Sequence, residues 1–431
     1  MYRKITRYLE SWKESQYRKP LILQGARQVG KTYSVLEFGR THYENVAYFN
    51  FETNPKLCET FEENISPDYL IPILSHISGV SIVRERTLIV FDEVQLCERA
   101  LTSLKYFCEE APEYHVIVAG SLLGVAVNRN EYSFPVGKVD MKTMYPMDME
   151  EFLLAMGESE LVERIRTCFD TDTPMPAALH DAAMQLYRQY LVVGGMPECV
   201  LQFASTRDYV LIRSTQDAIL TSYLNDMSKY NNQNEIKKTR LAYDNITAQL
   251  SKKNTRFQYK LIKKGARAAE FENSIEWLCL SGIVSRVHLV EQIKKPLENY
   301  RGIDSFKIYV SDSGLLIAKK DLIADDILQM VDDLNDFKGG MTENYVNIQL
   351  TINGYTTYYW ESGRSAEVDF IIQREGKIVP IEVKSADNTR AKSLNLYMKT
   401  FQPAYAIKIS MRNFGYEDGK KTVPLYAAFC I

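Results

Sequence analysis

The stretch "LILQGARQVGKTYSVLEF", residues 21–38, restricts the fold more than any other part of the sequence. It begins with an apolar run, Leu21 to Leu23, that predicts a short buried strand, and it ends in a helical pattern. Between them the residues fit G-x-x-x-x-G-K-[ST], whose glycines let the backbone turn so that its N–H groups and the helix N-terminus face phosphates. A chance glycine turn is the alternative, and the flanking strand and helix count against it. The sequence therefore predicts a phosphate-binding loop in an α/β domain.

The residues of this loop have expected roles toward a nucleotide. Lys31 is expected to reach the β- and γ-phosphates, and the Thr32 hydroxyl is expected to hold Mg²⁺. The predicted nucleotide-binding residues are Gly25, Ala26, Arg27, Gln28, Val29, Gly30, Lys31, Thr32 and Tyr33. ATP and Mg²⁺ are the cofactors that this pattern predicts.

An apolar strand that ends in two acids supplies the second half of such a site. In "TLIVFDEVQ", Asp92 is expected to bind the metal ion and Glu93 to act as the base that polarises the attacking water. A strand-like stretch, "NVAYFNF", lies between the loop and these acids, and "YHVIVAGS" follows them and ends at Ser121. An extra strand between the loop strand and the acid strand, with a polar residue ending the next strand, is typical of P-loop ATPases that use a glutamate base. Ser121 is predicted to contact the γ-phosphate or the attacking water, and a helix N-cap is an equally good alternative.

Length and composition indicate a multidomain protein of ordinary globular character. The 431 residues exceed what one hydrophobic core usually supports, and 45% of them are hydrophobic and 25% charged. The seven cysteines include no C-x-x-C pair and the five histidines are isolated, so reduced core cysteines and no zinc site are expected. The net charge of −3 argues against a protein that coats nucleic acid over its whole surface. Without a visible signal peptide or an apolar run long enough to span a bilayer, a cytoplasmic location and no membrane partner are expected.

Residues 251–267, "SKKNTRFQYKLIKKGAR", form a strongly basic stretch without any acid. Its charged residues, which are the predicted DNA contacts, are Lys252, Lys253, Arg256, Lys260, Lys263, Lys264 and Arg267. The order helix, turn, basic helix, helix and strand in this region is that of a winged helix, whose positive helix meets the phosphates and the major groove of DNA. A solvated helical face is the alternative, and it is the usual fate of a run of charges. Interleaved aromatic residues and the absence of balancing acids favour DNA contact.

Several stretches spread over nearly the whole chain resemble one known group of proteins. They are "LILQGARQVGKT", "LIVFDEVQ", "VIVAGSLLG", "YPMDMEEFL", "YLVVGGMPECV", "FKIYVSDSGLL", "MTENYVNIQL" and "YYWESGRSAEVDFII…IEVKS". The chain resembles bacterial and archaeal AAA+ superfamily ATPases fused to a C-terminal domain of unknown function with a restriction-endonuclease-like, PD-(D/E)xK, core. Where such proteins commonly have Gly-Arg, this chain has Gly137 and Lys138. A lysine lacks the planar fork of an arginine finger, so activation across a subunit interface through this position is in doubt.

A nuclease core of that kind needs carboxylates that converge on Mg²⁺ and a lysine that steadies the attacking water or the developing negative charge. The sequence offers Glu343 near the start of a helix, Asp369 in the strand "EVDFII", and Glu382 with Lys384 in "IEVKS". Asp369 and Glu382 are the predicted metal ligands. Residues two apart in a strand share a face, so Glu382 and Lys384 should point the same way, and "QREGK" suits a hairpin turn. Glu367 should share the face of Asp369, as a further ligand or at the rim.

Together these patterns predict an α/β protein of four parts. The predicted parts are a P-loop, AAA+-like ATPase core (1–148), a helical lid (149–228), a winged-helix-like DNA-binding segment (229–300) and a restriction-endonuclease-like α/β domain (301–431). The glycines of "VGGMPE" are predicted to form a tight turn within the lid. The predicted function is an ATPase that binds or acts on DNA, with cleavage left open. The alternatives are a nucleotide-dependent switch with a silent nuclease-like domain, and a regulator that binds a protein partner; a homo-oligomer is compatible with each.

Overall fold

The structure is a computed structural model that describes residues 1–120, 135–229, 233–250, 256–331, 334–363, 366–385 and 392–431. The chain divides into two compact units. The N-terminal unit consists of Tyr2–Tyr145 with Leu280–Gly282, and the C-terminal unit consists of Met1, Pro146–Cys279 and Ile283–Ile431. The finer division of residues 149–431 into three domains stays a prediction. Of the helices in the described ranges, none is both long and apolar enough to cross a membrane.

The N-terminal unit contains a sheet of five parallel strands in the order β2-β3-β4-β1-β5. The strands are β1 (Leu21–Gln24), β2 (Asn45–Asn50), β3 (Thr87–Asp92), β4 (His115–Ala119) and β5 (Asp140–Thr143). Every residue of β3 and β4 is buried, as is typical of parallel strands that are covered on both faces. The predicted α/β architecture is confirmed for this unit.

The helices of the N-terminal unit pack an aromatic core against this sheet. Within its described residues they are α1 (Lys4–Glu14), α2 (Lys31–His42), α3 (Leu57–Glu63), α4 (Pro67–Ser78) and α5 (Glu98–Glu110). The ring of Phe91 on β3 lies 5.6 Å from that of Phe61 and 6.5 Å from that of Phe107, both in edge-on arrangements. Phe91 immediately precedes Asp92, so its buried ring fixes the end of β3 from which the acid projects.

The order of the strands corrects one expectation. The stretch "NVAYFN", expected as the strand between the loop strand and the acid strand, forms β2 at the edge of the sheet. The strand that separates β1 from β3 is β4, with Leu21 opposite Ile117 and Leu88 opposite His115. Position along the chain does not give position in a parallel sheet, because each crossover connection decides beside which strand the chain returns. The inserted strand is present, but it is the strand that follows the acids.

The C-terminal unit begins with helices, as the sequence predicts for its first part. Its helices within the described residues are α6 (Met149–Ala155), α7 (Ser159–Thr171), α8 (Ala177–Val193), α9 (Pro197–Thr206), α10 (Tyr209–Lys229), α11 (Gln233–Leu250), α12 (Tyr259–Ile262), α13 (Ala268–Leu280), α14 (Ser313–Lys319), α15 (Ala324–Gln329), α16 (Asn335–Ile352) and α17 (Lys392–Phe401). A capping box starts α6, because the side chain of Asp148 accepts from the N–H of Glu151 at 2.8 Å and the Glu151 carboxylate accepts from the N–H of Asp148 at 3.3 Å.

The glycines of "VGGMPE" form the turn between α8 and α9 and join it to α14. Gly194 has φ +75°, in the region that favours glycine. The N–H of Gly195 donates to Asp312 Oδ2 at 2.6 Å, and the N–H of Leu315 donates to Asp312 Oδ1 at 2.8 Å. A Cβ atom on Gly195 would lie 2.0 Å from the carbonyl oxygen of Met147. These contacts give the motif a structural role.

The sheet of the C-terminal unit has eight strands in the order β12-β13-β11-β10-β9-β8-β6-β7. They are β6 (Val284–Val290), β7 (Arg301–Val310), β8 (Tyr358–Ser362), β9 (Ala366–Arg374), β10 (Lys377–Val383), β11 (Ala406–Ser410), β12 (Gly415–Glu417) and β13 (Lys420–Pro424). From α16 to β11 the elements run helix, three antiparallel strands, helix, and a strand parallel to β10. The predicted hairpin between β9 and β10 is confirmed, with Glu375 and Gly376 both at positive φ in its turn.

The basic stretch contains less helix than expected. Of its described residues, only those of α12 are helical, so most of its charges lie in the connections on either side. After α13 the hairpin β6–β7 follows, and β6 also pairs with β8, which makes the hairpin part of the large sheet. The hairpin that would form the wing is thus part of a larger sheet, and the winged helix is not confirmed.

Candidate functional site

The predicted phosphate-binding loop joins β1 to α2, and its backbone conformation requires glycine. Gly30, with φ +87°, directly precedes α2, and Gln28 has φ +65°. A Cβ atom on Gly25 would lie 2.1 Å from the carbonyl oxygen of Met144, so only glycine fits beside the chain that leaves β5. The first N–H groups of α2 have no acceptor within the helix, and the helix dipole adds positive potential there. The loop therefore has the backbone geometry that suits an anionic ligand.

Lys31 begins α2, and its side chain folds back over this loop. Its Nζ donates to the carbonyl oxygens of Gly25 at 3.0 Å and Ala26 at 2.8 Å. Burial lowers the pKa of Lys31 to about 8, against the opposing charges of Glu93 and Asp92. A bound phosphate would favour the charged form again, because a nearby negative charge raises the pKa of an ammonium group.

Asp92 and Thr32, the two predicted Mg²⁺ ligands, are in contact. Asp92 is buried at the end of β3, and its Oδ2 accepts from the Thr32 hydroxyl at 3.0 Å. The hydroxyl of Tyr48, on the neighbouring strand β2, donates to the same oxygen at 2.7 Å. Mg²⁺ is usually bound by one or two protein oxygens together with water and substrate phosphates, so the Thr32 and Asp92 pair fits this ion with ATP. No sequence pattern indicates Tyr48, since only the pairing of β2 with β3 brings it here.

Glu93 follows Asp92 in a left-handed backbone conformation, with φ +52°. Its carboxylate accepts a hydrogen bond from the side-chain amide of Gln95. Burial raises the pKa of Glu93, with the charge of Asp92 acting in the same direction. A carboxyl group whose pKa moves toward neutrality suits the role of general base. Gln95, two residues further on, is a partner that the sequence reasoning did not name.

Arg3 is a third contact that the sequence did not indicate. This buried side chain, directly before α1, donates through Nη1 to the carbonyl oxygen of Val29 at 2.9 Å and through Nη2 to that of Tyr145 at 2.8 Å. Val29 belongs to the phosphate-binding loop. Arg3 therefore positions the loop from the start of the chain.

Two further residues were singled out in the sequence of this unit. Ser121 lies outside the described residues. Lys138 forms an ion pair with Glu109 at 2.8 Å on the surface of the N-terminal unit. The position expected for an arginine finger is thus held by a lysine with an acidic neighbour in its own chain.

The predicted acids of the C-terminal unit form a cluster, called here the acidic cluster, that consists of Glu343, Glu367, Asp369 and Glu382. The sequence predicted Glu343 near the start of a helix, but Glu343 lies in the middle of α16. Asp369, on β9, accepts at Oδ2 from the N–H of Val383 at 2.7 Å. Burial, together with the charges of Glu382 and Glu343, raises the pKa of Asp369 well above its usual range. The carboxyl groups from α16, β9 and β10 therefore act on one another.

Glu382 and Lys384 point the same way, as the strand spacing predicts. Lys384 Nζ lies 2.5 Å from Glu382 Oε1. The second carboxylate oxygen, Glu382 Oε2, is buried and has no hydrogen-bond partner within the described part of the chain. Burial raises the pKa of Glu382, although the charge of Lys384 opposes this. A buried carboxylate oxygen without a donor is a place where a cation would be stabilised.

Lys307, a residue of β7 that no sequence motif indicated, contacts the acidic cluster. Lys307 is completely buried, and its Nζ lies 3.3 Å from Glu343 Oε2 and in ion-pair contact with Glu367 Oε1. The Tyr309 hydroxyl donates to the same oxygen of Glu343 at 2.8 Å. The only available signal was a single lysine within the apolar strand "FKIYV".

The arrangement limits the metal ion that the acidic cluster could hold. Within the described ranges, no group of three or more Asp, Glu, His or Cys side chains is arranged so that it could hold a metal ion. The pair Asp369 and Glu382 remains, and two carboxylates match the small number of protein ligands that Mg²⁺ takes beside a phosphate.

The described part of the basic stretch begins next to this cluster. Arg256 forms a β-bridge with Lys307, donates to Ser305 Oγ at 2.6 Å and lies 3.8 Å from Glu361 Oε1. Lys260, Lys263, Lys264 and Arg267 are exposed, and of these Lys263 lies 3.9 Å from Glu270. Lys252 and Lys253 fall outside the described residues.

Three family models match separate parts of the chain. Residues 17–153 match an AAA domain. Residues 184–326 match a domain of unknown function, DUF8612, and residues 338–428 match another, DUF4143. The AAA match and the parallel sheet identify the α/β P-loop ATPase fold in the N-terminal unit. The other two matches carry no activity with them.

Solved structures similar to the chain include the following three, all at low identity. A Walker-type ATPase of Pyrococcus abyssi is 14% identical, covers 73% of this chain and 94% of its own, and has a TM-score of 0.44. The Holliday junction branch migration motor RuvB of Thermotoga maritima is 13% identical, with coverages of 67% and 90% and a TM-score of 0.30. The ORC1 protein of Aeropyrum pernix, solved in complex with DNA, is 11% identical, with coverages of 76% and 90% and a TM-score of 0.30. A comparison with curated proteins gives no match.

Proposed function

We propose that the N-terminal unit binds ATP with Mg²⁺ and hydrolyses it. The observation that supports this most directly is the hydrogen bond of 3.0 Å between Thr32 and Asp92, which puts both expected ion ligands beside the phosphate-binding loop. Lys31 binds the phosphates, and Glu93 takes the proton of the attacking water. The ion, when bound with ATP, supplies positive charge that offsets the charge developing on the phosphates.

Replacement of the loop lysine tests this proposal. Lys31→Ala should abolish phosphate release, because the ammonium group that contacts the phosphates is lost. Lys56→Ala, which removes an exposed lysine of the same unit, is the matched control and should leave the rate unchanged. A Lys31→Ala protein that hydrolyses ATP at the parent rate would refute the proposal.

DNA is the proposed partner of the C-terminal unit. In support, Lys260, Lys264 and Arg267 are exposed and form no ion pair with any acid of the described residues. The described part of this stretch begins at Arg256, which lies beside Lys307, so DNA held by the basic side chains would pass close to the carboxylates.

Charge reversal tests the DNA proposal through its salt dependence. Each phosphate contact that is lost should lower the slope of log K against log[salt] by about 0.9 for duplex DNA. Replacement of Lys260, Lys263 and Lys264 by glutamate should therefore weaken binding and flatten the slope by up to about three. The control carries the same change of charge at exposed Lys294, Lys377 and Lys399. If both triple variants bind like the parent, or if binding is absent or insensitive to salt, a protein partner replaces DNA as the explanation of the basic stretch.

The acidic cluster supports two versions of this function. In the first, Asp369 and Glu382 hold one divalent ion, and Lys384 lies where negative charge develops as DNA is cleaved; the unpartnered Glu382 Oε2 supports this version. In the second, the nuclease-like domain is silent and nucleotide binding switches DNA binding or self-assembly. Cleavage by the parent that is lost in Asp369→Ala, with ATP hydrolysis preserved, would select the first. Intact DNA beside continuing phosphate release would select the second.

A further inference from the structure

Lys307 is a buried cation that the expected nuclease motif does not require. It lies in β7, where the residues from Phe306 to Val310 are all buried, and among these five it is the charged one. Its ammonium group lies 3.3 Å from Glu343 Oε2 and contacts Glu367 Oε1. A lysine is retained at such a place only when its charge is paired, because an isolated buried ammonium is strongly disfavoured.

The surroundings fix this ammonium group in its charged form. The Nζ atom lies 5.2 Å from the ring centroid of Tyr359, and Tyr309 donates to the Glu343 oxygen that Lys307 also contacts. Burial disfavours the charged form, but the negative charges of Glu343 and Glu367 oppose this effect, and the pKa of Lys307 is raised well above its usual range. The two ion pairs and this shift both favour a positively charged Lys307 beside the acidic cluster.

The cations present divide the acidic cluster into two halves. Lys307 forms ion pairs with Glu343 and Glu367, and Lys384 forms an ion pair with one oxygen of Glu382. Neither lysine forms an ion pair with Asp369, which accepts from the N–H of Val383 at 2.7 Å, and Glu382 Oε2 has no hydrogen-bond partner within the described part of the chain. Each half holds two carboxylates and one lysine, but only the second half leaves a buried carboxylate oxygen without a hydrogen-bond partner among the described residues.

We propose that Lys307 is a resident cation in the place of a second divalent ion, so that the cluster takes one divalent ion, between Asp369 and Glu382. In two-metal sites the ions lie roughly 3.5–4 Å apart and stabilise both the attacking and the leaving oxygen. Lys307 is completely buried, so it pairs with Glu343 and Glu367 without reaching a substrate oxygen. It is a positioning residue, and Glu343, expected from the sequence as a catalytic acid, is its partner. This inference rests on the proposed ion site at Asp369 and Glu382.

Counting bound Mn²⁺ tests the proposal without any nuclease activity. The free Mn²⁺ signal in electron paramagnetic resonance is measured with nucleotide-free parent, Lys307→Met, Lys399→Met and Asp369→Asn proteins, so that any ion at Asp92 contributes equally to all four. Lys307→Met should bind one more Mn²⁺ than the parent, because it frees Glu343 and Glu367. Lys399→Met, which removes an exposed lysine of the same unit, should match the parent, and Asp369→Asn should bind one fewer. Equal numbers and affinities for Lys307→Met and the parent would overturn the role of Lys307; equal numbers for Asp369→Asn and the parent would overturn the ion site itself.

A stability measurement keeps the proposal testable if Lys307→Met folds poorly. The triple variant Lys307→Met, Glu343→Gln, Glu367→Gln removes all three charges while it keeps similar shapes. At pH 7 the triple variant should melt about 5 °C or more above Lys307→Met, because the single change leaves two acids without their cation. Equal melting temperatures would overturn the proposal, since they would show that Lys307 does not balance these carboxylates.

Discussion

Glu93→Gln is the substitution that most sharply tests the assignment of the catalytic base. Glutamine has the same shape, so the left-handed turn after β3 and the contact with Gln95 can persist, and the Thr32 and Asp92 pair is untouched. What is lost is the ability to take a proton. Removal of a general base typically lowers the rate by about 10² to 10⁴-fold, which corresponds to about 3 to 5 kcal/mol of transition-state stabilisation. We therefore expect a loss of this size in kcat, with ATP affinity close to that of the parent.

The assay measures phosphate release and ATP binding on the same preparations, beside Glu59→Gln, an exposed glutamate of the same unit, as control. Because burial raises the pKa of Glu93, the parent rate should rise with pH through that elevated pKa, as the active carboxylate form replaces the protonated form. The residual rate of Glu93→Gln should lack this dependence. A variant whose kcat stays within about threefold of the parent, or that keeps the same pH profile, would refute the role of Glu93 as base.

The other predictions concern individual contacts within each of the two units. Arg3→Met keeps the apolar stem but removes two charge-assisted hydrogen bonds, each typically worth about 1.5–3 kcal/mol, so the melting temperature should fall and the KM for ATP rise; an unchanged KM would separate Arg3 from the loop. Tyr48→Phe leaves Asp92 with its Thr32 contact, so turnover at limiting ATP should fall by only about tenfold or less, and a complete loss would contradict the secondary role given to Tyr48. Gly195→Ala forces a Cβ atom to within 2.0 Å of a carbonyl oxygen and should destabilise the protein by about 1–3 kcal/mol or more in chemical denaturation, whereas Gly415→Ala, where a Cβ atom meets nothing within 4 Å, should be nearly neutral.

The proposed nucleotide site could be predicted from the sequence because its main parts are contiguous. The loop from Gly25 to Thr32 and the acids after β3 each fall within a few residues, so their local patterns contain the chemistry. Tyr48 and Arg3 could not be predicted, since the pairing of β2 with β3 and the packing at the start of α1 bring them to the site. The predicted strand order was wrong for the same reason, because the crossover connections decide which strands lie side by side.

The acidic cluster shows the same limit over longer distances. The helix and strands that carry Glu343, Asp369 and Glu382 follow one another in the chain, and their pattern predicted which carboxylates share the site. Lys307 comes from β7, which reaches the cluster because the β6–β7 hairpin extends the same sheet through β8. A motif defined within α16 to β11 has no position for a residue from that hairpin. The sequence therefore could not predict that a lysine pairs with Glu343 and Glu367.

The most direct test of the central claim is phosphate release by the purified parent protein with ATP, with Mg²⁺ or with excess EDTA, and with and without DNA. We predict that phosphate is released with Mg²⁺, that EDTA stops the release, and that Lys31→Ala shows none under any condition. A parent protein that binds no ATP and releases no phosphate, or release that persists in Lys31→Ala, would contradict the assignment of the N-terminal unit as a Mg²⁺-dependent ATPase.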